Sequence, residues 1–259
     1  MALKYFLIDV DGVLYNGSTV VDGAVHALRF LRESGLKFQL LTNTSGKTAL
    51  AVKEKLNGMG FDIFESDIYA AANAMIDFIR KKKKAARCYL VGTVSLEQAM
   101  IDAGLKVTRK EEPVDFVVLA YDSEVTYQKL DIALRLLLGG AGFIATHQMK
   151  IYPNETGVHI NVGAFAKALE YASGKAAYTI GKPNPDFFLD SMRRIKARKE
   201  ETAMVGDDIF EDIKGAQDCG LKAIFVESGS YKKDDLEKNG IRPDFSLKSI
   251  KDIQPIINA

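Results

Sequence analysis

Tyr5-Phe6-Leu7-Ile8-Asp9-Val10-Asp11-Gly12 begins as an apolar run and closes on two carboxylates two residues apart, with a glycine that lets the chain turn sharply. The apolar part, Tyr5 to Val10, is short and reads as a strand. Ligands of open α/β sheets bind outside the carboxyl ends of strands, so acids at this position are candidates for metal binding or catalysis. Asp and Gly also cluster in plain turns for local reasons. The choice between the two readings rests on what the other strand ends carry.

Short apolar runs alternate with segments of 3.6-residue period along most of the 259 residues, the pattern of βαβ units around a parallel sheet. The fold class is therefore α/β. Further strands are expected at Phe38 to Thr42, Tyr89 to Val91, Phe116 to Ala120, Phe143 to Thr146, Tyr178 to Ile180, Ala203 to Val205 and Ala223 to Val226. Between them, Tyr127, Leu130, Leu134 and Leu137 form one helical stripe and Val162, Phe165 and Leu169 another, both read as core faces. Asn184-Pro185 is a helix start, with Asn as cap and Pro at the first helical position. Acid-bearing strand ends near Asp9 and Asp207 suggest one sheet built from the first and last thirds, with the middle as an insertion.

The other strand ends do carry matching chemistry. Leu41-Thr42-Asn43 ends one strand with a hydroxyl and an amide, and Ile180-Gly181-Lys182-Pro183 ends another with a lysine. Val205-Gly206-Asp207-Asp208 follows, with Asp208 and Asp212 spaced to share a face at the start of a helix. Crowded carboxylates repel unless a cation neutralises them, and an all-oxygen set without Cys or His suits Mg²⁺, which also binds phosphate. The set fits phosphoryl transfer. Lys182 and Thr42 would hold phosphoryl oxygens, one Asp would attack phosphorus, and another would protonate the leaving oxygen. The acceptor is water in a phosphatase and another hydroxyl in a phosphomutase or phosphotransferase. A non-catalytic phosphate-binding scaffold of the same fold would typically lack Asp9 or Asp11, and a receiver domain needs about half this length.

The ordered set Asp9-x-Asp11-Gly12-Val13-Leu14, Leu41-Thr42-Asn43, Gly181-Lys182-Pro183 and Gly206-Asp207-Asp208 with Asp212 resembles the four motifs of the haloacid dehalogenase (HAD) superfamily. With an insertion of roughly a hundred residues before Gly181, it is most similar to the class IIA branch, the p-nitrophenylphosphatase or NagD-like phosphatases. The resemblance implies a Rossmann-like core at 1–72 and 178–259 and an inserted α/β cap of C2 type at 73–177. It makes Asp9 nucleophile and metal ligand, and Asp11 the acid/base whose backbone carbonyl also meets the metal. Thr42, Asn43, Thr44 and Lys182 would bind the phosphoryl group. Asp207 would be the third metal ligand, with Asp208 or Asp212 ordering metal-bound water and Mg²⁺ as cofactor. Ala145-Thr146-His147-Gln148-Met149 departs from the Ala-Thr-Asn-Pro-Asp run of many branch members, so no relative's substrate carries over; His147, Tyr152 and His159 of the cap are candidates for substrate contact, with a loop or core hydrogen-bonding role as the alternative for a lone His.

Composition removes other classes of function. Lys plus Arg is 35 against 34 Asp plus Glu, a formal charge of +1, so nothing electrostatic points to nucleic acid or an anionic membrane. The five basic residues Arg80 to Lys84 close a helix-like segment, where cations complement the dipole. Two isolated cysteines, Cys88 and Cys219, indicate neither a disulfide framework nor a zinc site. No apolar run reaches the ~18 residues of a membrane helix, and the first apolar segment is too short for a signal peptide. The expected partner is a small phosphorylated metabolite, the expected location cytoplasmic, and the resemblance allows a homodimer.

Overall fold

The run at Tyr5 forms the strand Tyr5–Asp9, whose Phe6, Leu7 and Ile8 are wholly buried. Each such side chain contributes roughly 1.5–3 kcal/mol by leaving water. In the computed structural model, which describes residues 2–46, 48–154 and 156–257, this strand lies inside a six-stranded sheet. The order is Phe245–Leu247, Lys222–Val226, Thr202–Gly206, Tyr5–Asp9, Lys37–Thr42, Ile68–Ala70. Tyr5–Asp9 pairs in parallel with Thr202–Gly206 on one side and with Lys37–Thr42 on the other. The chain steps one way from Tyr5–Asp9 through the first third and the other way on its return. The carboxyl end of that strand is therefore a topological switch point, where an open sheet leaves a crevice.

The helices follow from side-chain spacing. Ala24–Glu33 buries Ala24, Ala27, Leu28 and Leu31, the i, i+3, i+4, i+7 set of one face. Pro185–Ile195 starts as expected, with the Asn184 side chain accepting from the Asp186 amide at 2.9 Å and Pro185 in the first turn. Ala71–Lys82 ends in Arg80, Lys81 and Lys82. In Tyr127–Leu138 the core face is Ala133 and Leu137, with Leu130 and Leu134 partly buried. Tyr127 is not part of it: it sits in the first turn after its cap Thr126 and is 84% exposed.

A second parallel sheet has the order Tyr178–Thr179, Gly142–Ala145, Phe116–Leu119, Arg87–Val91, Lys106–Thr108. An antiparallel hairpin, Ile151–Asn154 with Gly157–Ile160, accompanies it. The chain divides into two compact units, the first Met1–Thr42, Leu50–Tyr69 and Lys182–Ala259, the second Asn43–Ala49 and Ala70–Gly181. The sequence reading divides the chain at 73 and 177. Tyr178–Thr179 pairs with the second sheet, and Tyr178 stacks on Phe78 with ring centroids 4.4 Å apart, so the return to the first unit falls after Gly181.

All eight strands read from the sequence are present. Ile68–Ala70, Lys106–Thr108 and Phe245–Leu247 escaped that reading; each has three residues and each is a sheet edge. An edge strand this short carries too few residues for a recognisable period. Both cysteines are buried, and burial pushes the Cys88 thiol up to about 12. Among the described residues no helix is long and apolar enough to cross a membrane.

Candidate active site

Parallel register sets Asp9 beside Leu41 and Ile8 beside Val205. Asp9, Thr42 and the Gly206-Asp207 step thus leave three adjacent strands at one end of the sheet. The glycines permit the crowding. Gly12 has φ +87°, and a Cβ there would stand 2.5 Å from the Asp207 carboxyl carbon. A Cβ at Gly206 would collide with Asp212, and one at Gly229 with Asp207.

Lys182 is the buried cation of the site, with 2% of its surface exposed. Its ammonium donates to Asp9 Oδ1 and lies 2.7 Å from Asp212 Oδ1. Asp9 is 7% exposed and Asp212 1%. Burial raises the Asp9 carboxyl well above its ordinary range, against the pull of Lys182, and Asp212 and Asp207 raise it further. Burial alone would lower Lys182; Asp212 and Asp9 outweigh it and raise the ammonium above its ordinary value. Asp207, pushed up to about 7 by burial and then by Asp212, is held by the Ser230 amide, which donates to Oδ2 at 2.6 Å.

The turn after Asp208 differs from the helix the sequence suggests. Ile209–Lys214 is π-helical, and Asp208 is its cap: Oδ1 accepts from the amides of Phe210 and Glu211, both at 2.8 Å. Asp208 and Asp212 therefore do not share an α-helical face. The wider turn lets Asp212 reach back, its Oδ2 accepting from the Asp208 amide at 3.1 Å while Oδ1 meets Lys182.

Asp11 is exposed, two residues beyond buried Asp9. Tyr15, 5% exposed, bridges back to it, and burial followed by the Asp11 charge raises the Tyr15 phenol. Lys55 Nζ lies 3.5 Å from the centroid of the Tyr15 ring. Thr42 and Asn43 are buried and Thr44 half-buried. Thr42 closes its strand in the first unit, whereas Asn43 and Thr44 belong to the second. Sequence reasoning missed Tyr15, Ser228 and Ser230. Ser228 Oγ donates to the Gly12 carbonyl at 2.7 Å, so the loop after Lys222–Val226 braces both the Gly12 turn and Asp207. The available signal was Ser228-Gly229-Ser230 just beyond a buried strand end.

Among the described residues one group of acids could hold a metal ion: Asp9, Asp207 and Asp212, each offering an oxygen within 4.8 Å of the others. The donors are all oxygen, all buried, and three carboxylates face one ammonium. Such a set fits a hard divalent cation such as Mg²⁺. Asp9 and Asp207 belong to the set read from the resemblance, whose contribution from Asp11 is a backbone carbonyl; Asp212 joins them, brought there by the π-helical turn.

In the second unit His147 is buried, and burial lowers its imidazole to about 4. Tyr152 stacks on His159 with centroids 5.3 Å apart, and its hydroxyl lies 3.1 Å from that of Tyr121. Tyr121, Tyr152, His159 and Asn161 line a cavity of about 170 Å³.

The site thus joins a buried lysine to a carboxylate cluster at the switch point of a parallel sheet, and comparison with known proteins identifies the family that carries it. The family model for haloacid dehalogenase-like hydrolases matches residues 6–106, and a HAD-hydrolase-like model matches 179–253. The chain is 33% identical over 249 residues to the acid sugar phosphatase of Staphylococcus aureus, covering 96% of each. Its fold superposes on p-nitrophenyl phosphatase from Archaeoglobus fulgidus with TM-score 0.92 at 26% identity, covering 98% of each chain. Glycerol phosphate phosphatase from Mycobacterium tuberculosis, solved in complex with magnesium, gives TM-score 0.88 at 26% identity over 96% of this chain and 76% of that one. The chain belongs to the haloacid dehalogenase-like hydrolase family. Within it, the chain is a phosphatase of the class IIA branch.

Proposed function

We propose that the protein hydrolyses a small-molecule phosphomonoester through a phosphorylated Asp9, with Mg²⁺ held by Asp9, Asp207 and Asp212. The observation that carries this reading is the pairing of buried Asp9 with Lys182 at the switch point, two residues from a solvent-facing Asp11. An Asp9 oxygen attacks phosphorus, and the ester P–O bond breaks as Asp11 gives its proton to the leaving oxygen. Asp11, now a carboxylate, takes a proton from water; that water attacks phosphorus and the Asp9–phosphorus bond breaks, returning free phosphate. Lys182 orients Asp9 and offsets the charge of the phosphoryl oxygens, which Thr42, Asn43 and Thr44 also hold. The bound cation supplies further neutralisation of phosphoryl charge.

The test is phosphate release from an aryl phosphate with Mg²⁺ and with EDTA, for wild type and Asp9→Asn. Metal-dependent release that vanishes in the variant is expected. Equal release by both proteins, or release unaffected by EDTA, overturns the reading. The acid sugar phosphatase relative makes sugar phosphates the first metabolites to screen.

A further inference from the structure

The loop after Lys37–Thr42 is divided between the two units: Thr42 stays with the first, and Asn43–Ala49 packs as part of the second. Hydrogen bonds within the second unit fasten it. Ser45, 2% exposed, accepts the Tyr121 amide on Oγ at 3.0 Å, and the same Oγ lies 3.4 Å from His147 Nε2. One residue on, the Gly46 carbonyl accepts from Thr93 Oγ1 at 3.3 Å and from Ser95 Oγ at 3.2 Å. A Cβ at Gly46 would stand 3.1 Å from the Tyr121 ring, so the loop lies tightly against that residue. Asn43 is 8% exposed, and a Cβ at Gly181 would run into its amide. Tyr121 and His147 follow the carboxyl ends of Phe116–Leu119 and Gly142–Ala145, and Thr93 caps the helix Val94–Asp102. The attachments therefore reach three successive βα connections of the second sheet.

We propose that Ser45 is a positioning residue: it fastens the loop after Lys37–Thr42 and so holds in place Asn43 and Thr44, which the phosphatase reading assigns to the phosphoryl group. The affinity for a phosphoryl group then depends on the Ser45 anchor. This inference rests on the phosphatase reading for the ligand, and on the hydrogen bonds of Ser45 for the device.

Ser45→Ala removes the acceptor of the part-buried Tyr121 amide and is expected to cost roughly a ten-fold loss of affinity, about 1.4 kcal/mol. In the full-length protein, the Ki of inorganic phosphate and the KM of an aryl phosphate are expected to rise together by about that factor while kcat stays within about two-fold. Hydrogen exchange of amides 44–49 should quicken without change in Phe116–Leu119. Ser45→Thr, which keeps the hydroxyl, should restore the wild-type values. Should Ser45→Ala fail to fold, Thr93→Val with Ser95→Ala releases Gly46 at a more exposed position, with the same directions expected. Unchanged Ki and loop exchange, or a fall in kcat at constant KM, overturns the proposal. If the wild type releases no phosphate from any ester, the phosphatase reading fails by itself, and phosphate binding with loop exchange still decides the role of Ser45.

Discussion

Lys182 Nζ lies 2.7 Å from Asp212 Oδ1, and both side chains are almost completely buried. With Asp9 on its other side, the ammonium is the cation the buried carboxylates are built around. Removing one partner of such a cluster leaves an uncompensated buried charge, which commonly costs 3–5 kcal/mol.

Lys182→Met should therefore lower unfolding stability in EDTA by about 3 kcal/mol, with Mg²⁺ restoring part of the loss by offsetting the same carboxylates. Urea unfolding with and without Mg²⁺ measures both quantities. A variant as stable as the wild type in EDTA would show that the carboxylates there are neutral.

Mg²⁺ at 100 times its Kd should stabilise the wild type by about 2.7 kcal/mol through mass action. Asp207→Asn removes one of the three clustered oxygens and should abolish most of that gain while leaving the protein folded. A thermal shift titration reads the effect with no substrate present. An equal shift in both proteins would place the cation elsewhere.

His147 supplies a pH prediction from the inserted unit. Its folded imidazole titrates at about 4 against an ordinary 6.5, because burial disfavours the cation. The unfolded chain therefore binds the proton first, so the stability owed to neutral His147 is full above pH 6.5 and is lost as pH falls from 6.5 towards 4. The loss over that window is on the order of 3 kcal/mol. His147→Asn should flatten this part of the stability profile in denaturant melts. An unchanged slope would show that the ring is accessible to protons in the folded state.

Glu201 gives the opposite kind of window. Arg198 and then Lys4 hold its carboxyl at about 2, below an ordinary 4.5, and Lys4 Nζ reaches Oε1 at 2.8 Å. The contribution is present above pH 4.5 and is lost as pH falls towards 2. The pairing ties the entry of the Asp9 strand to that of the Asp207 strand, where Lys4 N also donates to the Glu201 carbonyl at 2.9 Å. Glu201→Gln should make the acid limb of unfolding shallower between pH 4.5 and 2, read by circular dichroism.

Much of this site is legible in the sequence because its chemistry sits on local signals. Asp9, Thr42 and Asp207 each follow a short apolar run, and one parallel sheet brings the carboxyl ends of those runs to the same end whatever the loops do; Lys182 follows a run of the second sheet and is legible from its Gly-Lys-Pro triplet. Composition and period settle the α/β class in the same way, since burial on both faces demands the runs and amphipathic crossover helices demand the 3.6-residue spacing.

What needed the tertiary structure were the features set by packing between distant segments. The π-helical turn that makes Asp208 a cap and sends Asp212 to Lys182 has no local signature, because Asp at i and i+4 reads as an α-helical face. The bracing of Asp207 by Ser230, 23 residues away, depends on strand order. The three-residue edge strands exist through their pairing and not their composition. The membership of Asn43 and Thr44 in the inserted unit was decided likewise by Ser45 and Gly46, whose partners at Tyr121 and Thr93 lie 76 and 47 residues away. Sequence alone determined which chemical groups the strand ends carry, because that is a property of neighbouring residues. Which of them meet, and on which unit each rides, was decided by long-range hydrogen bonds and buried charge, which exist only once the chain has folded.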